Sequence, residues 1–308
     1  MTVFLAACGP AEEAGETSTT SADPAEPTTS TITTTTEAAT TTVPAAQSTT
    51  TTVGATSTTV LPAGDWAHLP VIVADFGALG WWDGSDWVRA DEIGALPVSG
   101  GEDYQISLLG EVAETSGGAQ TTVCEPLLNL GVELDDPELL GSWPGPYGVA
   151  ISGGWELHPH LFQSFSDDGS YLGFARELLA ERGLDVPSPV VKQLYRTDLE
   201  GDGTNEILVV AEDVSEGLFG QPGDYSIIFL RKVVENEVHT AVLGDSVITD
   251  EDDFLTSFAV GTVADLNGDG KMEIVVDSAY YEGLGVEVWE YADDDLGPVP
   301  RLSAGCGA

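Results

Sequence analysis

The stretch DLNGDGKMEIVV, residues 265–276, places oxygen-bearing side chains at alternate positions (Asp265, Asn267, Asp269), follows them with Gly270, and ends on Glu273 and an aliphatic run. Positions 1, 3 and 5 of such a loop point inward, position 7 lends a carbonyl, and a glycine at 6 makes the sharp turn. Together they supply the roughly six to eight oxygens that calcium takes at about 2.3–2.6 Å. The stretch DLEGDGTNEILVV repeats the pattern from Asp198, 67 residues earlier, with Asp at 1, an oxygen side chain at 3, Gly at 4, Asp at 5, Gly at 6 and Glu at 9. The first loop would thus hold a cation through Asp198, Glu200, Asp202, the Thr204 carbonyl and Glu206. The second would use Asp265, Asn267, Asp269, the Lys271 carbonyl and Glu273. Magnesium suits these loops less well, because it demands a tight octahedron and keeps its waters. An acidic β-turn holding no metal is the competing reading, and the repetition counts against it.

The residues after the loop decide the architecture. A helix-loop-helix calcium hand carries its bidentate Glu at position 12 between two helices. Here the carboxylate arrives at position 9 and EILVV or EIVVD follows, β-branched runs that favour strands. Dockerin loops are followed by a helix, which excludes them as well. DLNGDGKMEIVV closely resembles the strand-loop-strand calcium site of the VCBS and FG-GAP repeats of integrin-like β-propellers, and the resemblance spans roughly residues 190–303. It implies a four-stranded unit around each loop. The first unit would use VVKQLYRT, EILVVAED, DYSIIFLRKVV and EVHTAVLG, and the second FLTSFAVGTVA, EIVVDSAYY, GVEVWEY and VPRLSA. Two units cannot close a propeller, which needs at least about four blades, and residues 65–185 contain no third loop. The expectation is a mainly β protein in which propeller-like four-stranded units over 186–308 follow a small β domain over 65–185. That domain would be a barrel or sandwich, with degenerate blades as the alternative.

Within the first half, residues 70–90 alternate apolar runs around Asp83-Gly84, a hairpin signal. The segment YQISLLGEVAETSGGAQTTVCEPL repeats that form, with the turn expected at Gly117-Gly118. One helix is expected near 171–183, where Leu172, Ala175, Leu178, Leu179 and Arg182 follow helical spacing. Gly183 stops it and Pro187 forbids its continuation.

Nine basic against 52 acidic residues give a formal charge of −43, a field that repels nucleic acid and anionic lipid and gathers cations. Only six of those acids precede residue 65, so the folded body carries the imbalance and gains from divalent ions that neutralise part of it. At the amino end, Leu5-Ala6-Ala7-Cys8 resembles a bacterial lipobox, which implies a lipid anchor on Cys8. Seven residues precede Cys8 and none is basic, whereas a secretory leader has a basic start and an apolar stretch of roughly 7–15 residues. The expectation is a start codon placed too far downstream or a trimmed leader. Residues 17–60 include twenty threonines and little that is large and apolar. Such a composition cannot bury enough surface to offset its ordering entropy. Residues 9–64 therefore read as a disordered tether, with a root-mean-square reach on the order of 40 Å. No run of about 20 apolar residues occurs that would span a bilayer. The lipobox-like Cys8 and the tether imply the extracellular face of a bacterial membrane, lipid-anchored, or secretion, as the expected location. Cys124 and Cys306 remain in the body and are expected to form a disulfide.

Motifs for chemistry are scarce. His158-Pro-His160 lacks a third ligand nearby and reads as surface loop, and His68 and His239 stand alone. No Gly-x-Ser-x-Gly elbow or phosphate-cradling glycine loop occurs. Asp135-Asp136 and Asp252-Asp253 say little in so acidic a chain. Trp81, Trp82 and Trp87 are candidates for stacking on a sugar or partner, against the alternative of core or cross-strand pairs. The favoured expectation is a non-enzymatic, surface-tethered module that binds Ca2+ and, through it, presents a face to an extracellular protein or glycan. An exported hydrolase using two carboxylates and an inert envelope component are the alternatives.

Overall fold

Each acidic loop closes a β-hairpin. The computed structural model describes residues 71–307 apart from 126–127, 143, 167–168, 216–219, 235–236, 251–252 and 292–296. All of these belong to one compact unit, Thr58–Ala308. Cys8, the threonine-rich stretch, His68 and Asp252 lie outside the described residues. Around the first loop lie strands β9 (Val191–Thr197), β10 (Glu206–Asp213), β11 (Tyr225–Val234) and β12 (Glu237–Val247), and around the second β13 (Ser257–Ala264), β14 (Glu273–Tyr280), β15 (Gly283–Glu290) and β16 (Val299–Gly307). All eight coincide with the strands expected from the sequence. Each set runs up and down as an antiparallel meander, and a short strand β8 (Phe162–Ser164) extends the first by pairing with β9. The runs ILVV and IVV lack the usual alternation because their strands are central and covered on both faces, with every residue from Ile207 to Ala211 and from Ile274 to Val276 buried.

The first half departs from the expected barrel or sandwich. It contains β1 (Val71–Ala74), β2 (Gly77–Trp82), β3 (Trp87–Arg89), β4 (Glu102–Leu108), β5 (Glu111–Val123), β6 (Asn129–Leu134) and β7 (Val149–Ile151). These form one open seven-stranded sheet in the order β3-β2-β1-β7-β4-β5-β6. β7 returns from a later part of the chain and inserts between β1 and β4, pairing antiparallel with both, and the edge strands β3 and β6 do not pair with each other. The second glycine turn also falls elsewhere. The β4–β5 hairpin turns at Leu109-Gly110, where both residues have positive φ (50° and 80°), and Gly117-Gly118 lies inside the long strand β5 beside a bulge. There a β-carbon on Gly117 would fall 2.2 Å from Tyr104 Cε2, so the glycine admits the ring of its neighbouring strand.

The sheets are layered. Ile72, Leu79, Val149 and Ile151 of the first sheet share a core with Val275, Val286, Val288 and Leu302 of the third. From the opposite face of the third sheet, Ile274 and Val276 share another with Leu208, Val210, Ile228 and Leu230 of the second. The β13–β16 sheet is therefore the middle layer. The outer face of the second sheet is covered by the single α-helix among the described residues, α1 (Leu172–Glu181), through Ala175 and Leu179. Its end is a Schellman motif: Leu184 N–H donates to Leu179 O, Gly183 N–H donates to Ala180 O, and Gly183 has φ +86°. Gly183→Ala is expected to cost about 1–2 kcal/mol, read as a lowered urea midpoint at unchanged slope.

Cys124 and Cys306 are disulfide-bonded, with Cα atoms 5.5 Å apart across a sequence separation of 182. The bond ties the end of β5 to the last strand. Trp81 is buried, and Trp82 and Trp87 sit opposite one another in the β2–β3 ladder as an edge-to-face pair with centroids 5.2 Å apart. Trp87 Nε1 donates to Glu290 Oε1 at 3.1 Å. Trp81 thus packs within a core of the first half of the chain, and Trp87 links the first sheet to the third.

Candidate metal centre

The two loops share four hydrogen bonds and differ in the partner of the position 5 N–H. Position 1 follows the last residue of one strand and position 9 begins the next, so Thr197 pairs with Glu206 and Ala264 with Glu273 across their ladders. In the first loop Asp198 Oδ1 accepts from the N–H of Gly201 (2.8 Å) and Asp202 (3.2 Å), and its Oδ2 accepts from Gly203 N–H (3.0 Å). In the second, Asp265 Oδ1 accepts from Gly268 N–H (2.6 Å) and Oδ2 from Gly270 N–H (2.9 Å). Position 5 accepts from the N–H of position 7 in both, Thr204 to Asp202 at 2.6 Å and Lys271 to Asp269 at 2.8 Å. The position 9 glutamate accepts from the N–H of position 2 in both, Leu199 to Glu206 Oε2 at 2.9 Å and Leu266 to Glu273 Oε2 at 2.6 Å. Asn267 Oδ1 adds a bond from Asp269 N–H at 2.9 Å.

Each loop buries negative charge. Glu206 and Glu273 are each 1 % exposed, and Asp198, Asp265 and Asn267 are also buried. Burial pushes the Glu206 carboxyl up to about 7, with Glu200 and Asp198 adding to the push. Burial likewise raises Asp265 to about 6, with Asp269 contributing. Glu273 is raised well above the usual carboxylate range by burial, with Asp265, Asp269 and Glu290 adding. The Tyr291 phenol, beside Glu200, is raised by burial and by Glu200 and Glu206. A divalent ion would reverse this cost, since a nearby cation favours the charged form.

The donor set fits a hard cation. Glu206 Oε1 is buried with no hydrogen-bond partner, as is Thr197 Oγ1 directly across the ladder, and native interiors rarely leave such atoms unmatched. A carboxylate has about four lone-pair sites, and the N–H groups occupy three on Asp198 and one on Glu206. Among the described residues no three Asp, Glu, His or Cys side chains converge on one point. Asp202 and Asp269 are exposed, and the half-buried Glu200 lies against the Tyr291 phenol.

The sequence gives no sign that the loops touch, but they do. Met272 N–H, position 8 of the second loop, donates to Leu199 O, position 2 of the first, at 2.8 Å. A short segment between β7 and β8 covers both. Trp155 Nε1 donates to Asp265 O at 2.8 Å, and its ring lies against Gly268, where a β-carbon would meet it at 3.3 Å. His160 lies against Gly201, where a β-carbon would fall 2.6 Å from Nε2, and that same nitrogen is 3.0 Å from Gly270 O. His160 is exposed in its loop, as its spacing predicts, yet it rests on both acidic loops, and no sequence motif marks Trp155. His158 does behave as surface, hydrogen-bonded to the exposed Glu156. Bulk at Gly201 or Gly268 would displace these rings, and Gly268→Val is expected to unseat Trp155, read as a shift in tryptophan emission toward that of exposed indole.

No protein family, curated protein or solved structure matches this chain. No helix among the described residues is long and apolar enough to cross a membrane.

Proposed function

We propose that this chain is a calcium-binding module of the VCBS and FG-GAP kind, tethered at the bacterial cell surface through Cys8 and without catalytic activity of its own. Asp198, Glu200, Asp202, the Thr204 carbonyl and Glu206 hold one ion, and Asp265, Asn267, Asp269, the Lys271 carbonyl and Glu273 the other. The observation that carries the reading is the shared hydrogen-bond pattern of two loops 67 residues apart, each with a fully buried glutamate at position 9. Layered antiparallel meanders are in keeping with propeller-like units, and the disulfide is in keeping with an oxidising, extracytoplasmic setting. For an extracellular protein or glycan, the supporting feature is an exposed aromatic face. Phe254 (55 % exposed) stacks on Tyr281 (44 %) with centroids 5.3 Å apart, next to exposed Tyr280.

Equilibrium dialysis of the full chain against 45Ca2+ tests the site. Two ions per chain are expected, and none in the Asp198→Ala/Asp265→Ala double variant. A parent chain that takes up no calcium would end the reading. Mass spectrometry of membrane fractions tests the tether, with Cys8 expected to carry lipid rather than a bare thiol.

A further inference from the structure

We infer that the two loops form one coupled centre, in which an ion in either loop raises the affinity of the other through the Leu199–Met272 contact and the Trp155–His160 strap. The inference rests on the calcium reading above and adds how the two sites act on each other.

Leu199 is a single residue tied in both directions. Its N–H is held by Glu206 of its own loop at 2.9 Å, and its carbonyl accepts Met272 N–H of the other loop at 2.8 Å. It lies between Asp198 and Glu200, and Met272 lies between Lys271 and Glu273, so all four flanking residues belong to the two ligand sets. Leu199 (0 % exposed) and Met272 (2 %) are buried in the same core, which leaves neither peptide room to move alone. Above them, His160 touches Gly201 of one loop and Gly270 of the other, while Trp155 holds Asp265 O. Drawing Asp198 and Glu206 onto an ion fixes Leu199. Fixing Leu199 orients Met272, and with it the Lys271 carbonyl and Glu273.

The sign follows from ordering and charge. The first ion meets the entropy cost of fixing the shared contact, and the second then binds to a loop already partly ordered, which is positive coupling. Repulsion between the ions opposes this. The two ligand sets contain seven carboxylates against one lysine, so each ion is drawn in strongly, while the repulsion between ions in two water-facing loops is weakened by the high dielectric and by salt. Ordering then sets the sign.

Calcium titration of the full chain by isothermal calorimetry tests the coupling. The parent is expected to bind two ions with a Hill coefficient of about 1.5 or more. Asp198→Ala and Asp265→Ala, each keeping one loop, are expected to bind one ion about tenfold more weakly than the parent, within the usual range of coupling between sites. His160→Ala leaves both ligand sets whole and is expected to keep two ions while its Hill coefficient falls toward 1. Amide exchange gives a second readout: calcium bound only at the second loop, in Asp198→Ala, should slow exchange at Leu199. Two ions with a Hill coefficient of 1 or less, single-loop variants of parental affinity and unchanged Leu199 exchange would overturn the coupling and leave the calcium reading standing. Absence of any calcium uptake by the parent would remove both.

Discussion

In chelator at pH 7.5 the protein is expected to melt about 10–20 °C below its melting temperature in millimolar calcium. A site filled at about 100 times its Kd contributes roughly 2.7 kcal/mol. Two such sites give about 5 kcal/mol, and a domain of this size shifts by about 2–4 °C per kcal/mol. The gap should close in acid, and the sign comes from the buried carboxyls. Glu206 is raised by burial from 4.5 to about 7 in the folded chain, and Asp265 from 3.8 to about 6. A carboxyl raised on folding leaves the folded state holding more protons than the unfolded one. Its contribution is fully present below the unfolded value near 4.5 and is lost as pH rises through the folded value near 7. For Glu206 alone that loss is about 3 kcal/mol. The chelated protein should therefore be more stable at pH 5 than at pH 7.5, while the calcium-loaded protein, with those carboxylates neutralised by the ion, should gain as pH rises and protons stop competing. Differential scanning calorimetry at pH 5, 6 and 7.5 with and without EGTA checks this. Parallel profiles that never converge in acid would contradict it.

The parts of this fold legible in the sequence are those fixed by short-range chemistry. The eight strands around the loops could be read because central strands show as β-branched runs and the acidic loops mark their hairpins. The helix could be read because Ala175 and Leu179 recur at helical spacing and Gly183 supplies the φ > 0 its end requires. What escaped depends on partners distant in sequence. Gly117-Gly118 carries the composition of a turn, but a glycine pair also serves where a ring crosses a strand, and only the position of Tyr104 distinguishes the two. The strand order of the first sheet depends on β7 returning between β1 and β4, a pairing that three residues, Val149–Ile151, cannot announce. Of the candidate centre, the two matching acidic loops are evident from spacing, whereas the contact between them follows from how the second and third sheets stack. His160 and Trp155 are isolated polar and aromatic residues in a loop of no regular period, and only their contacts give them a role.

Removing the disulfide by Cys124→Ser/Cys306→Ser is expected to lower stability by about 5 kcal/mol, the chain-entropy value for a loop of this length, or again about 10–20 °C. The mechanism differs from that of calcium. The cross-link acts mainly by limiting the unfolded ensemble, whereas ions at the proposed sites would act on the native loops. Cys306 pairs with Leu284 in the β15–β16 ladder, and the loop end of β15 lies at Trp289, which pairs with Ile274. At about 3.3 Å per residue the two ends are separated by more than 15 Å of strand, beyond the range at which mutational effects usually couple. The loss on removing the disulfide should therefore be the same in calcium as in chelator. The native sheet should persist, because Asn129 Nδ2 separately ties the same corner by donating to Phe76 O (2.9 Å) and Gly305 O (2.7 Å). Asn129→Ala sits beside the disulfide and should not add to its loss. Urea unfolding of the double serine variant should show a steeper slope as well as a lower midpoint, since an unfolded chain freed of its cross-link exposes more surface. A loss that disappears in calcium would mean that the bond acts through the loops rather than through the unfolded state.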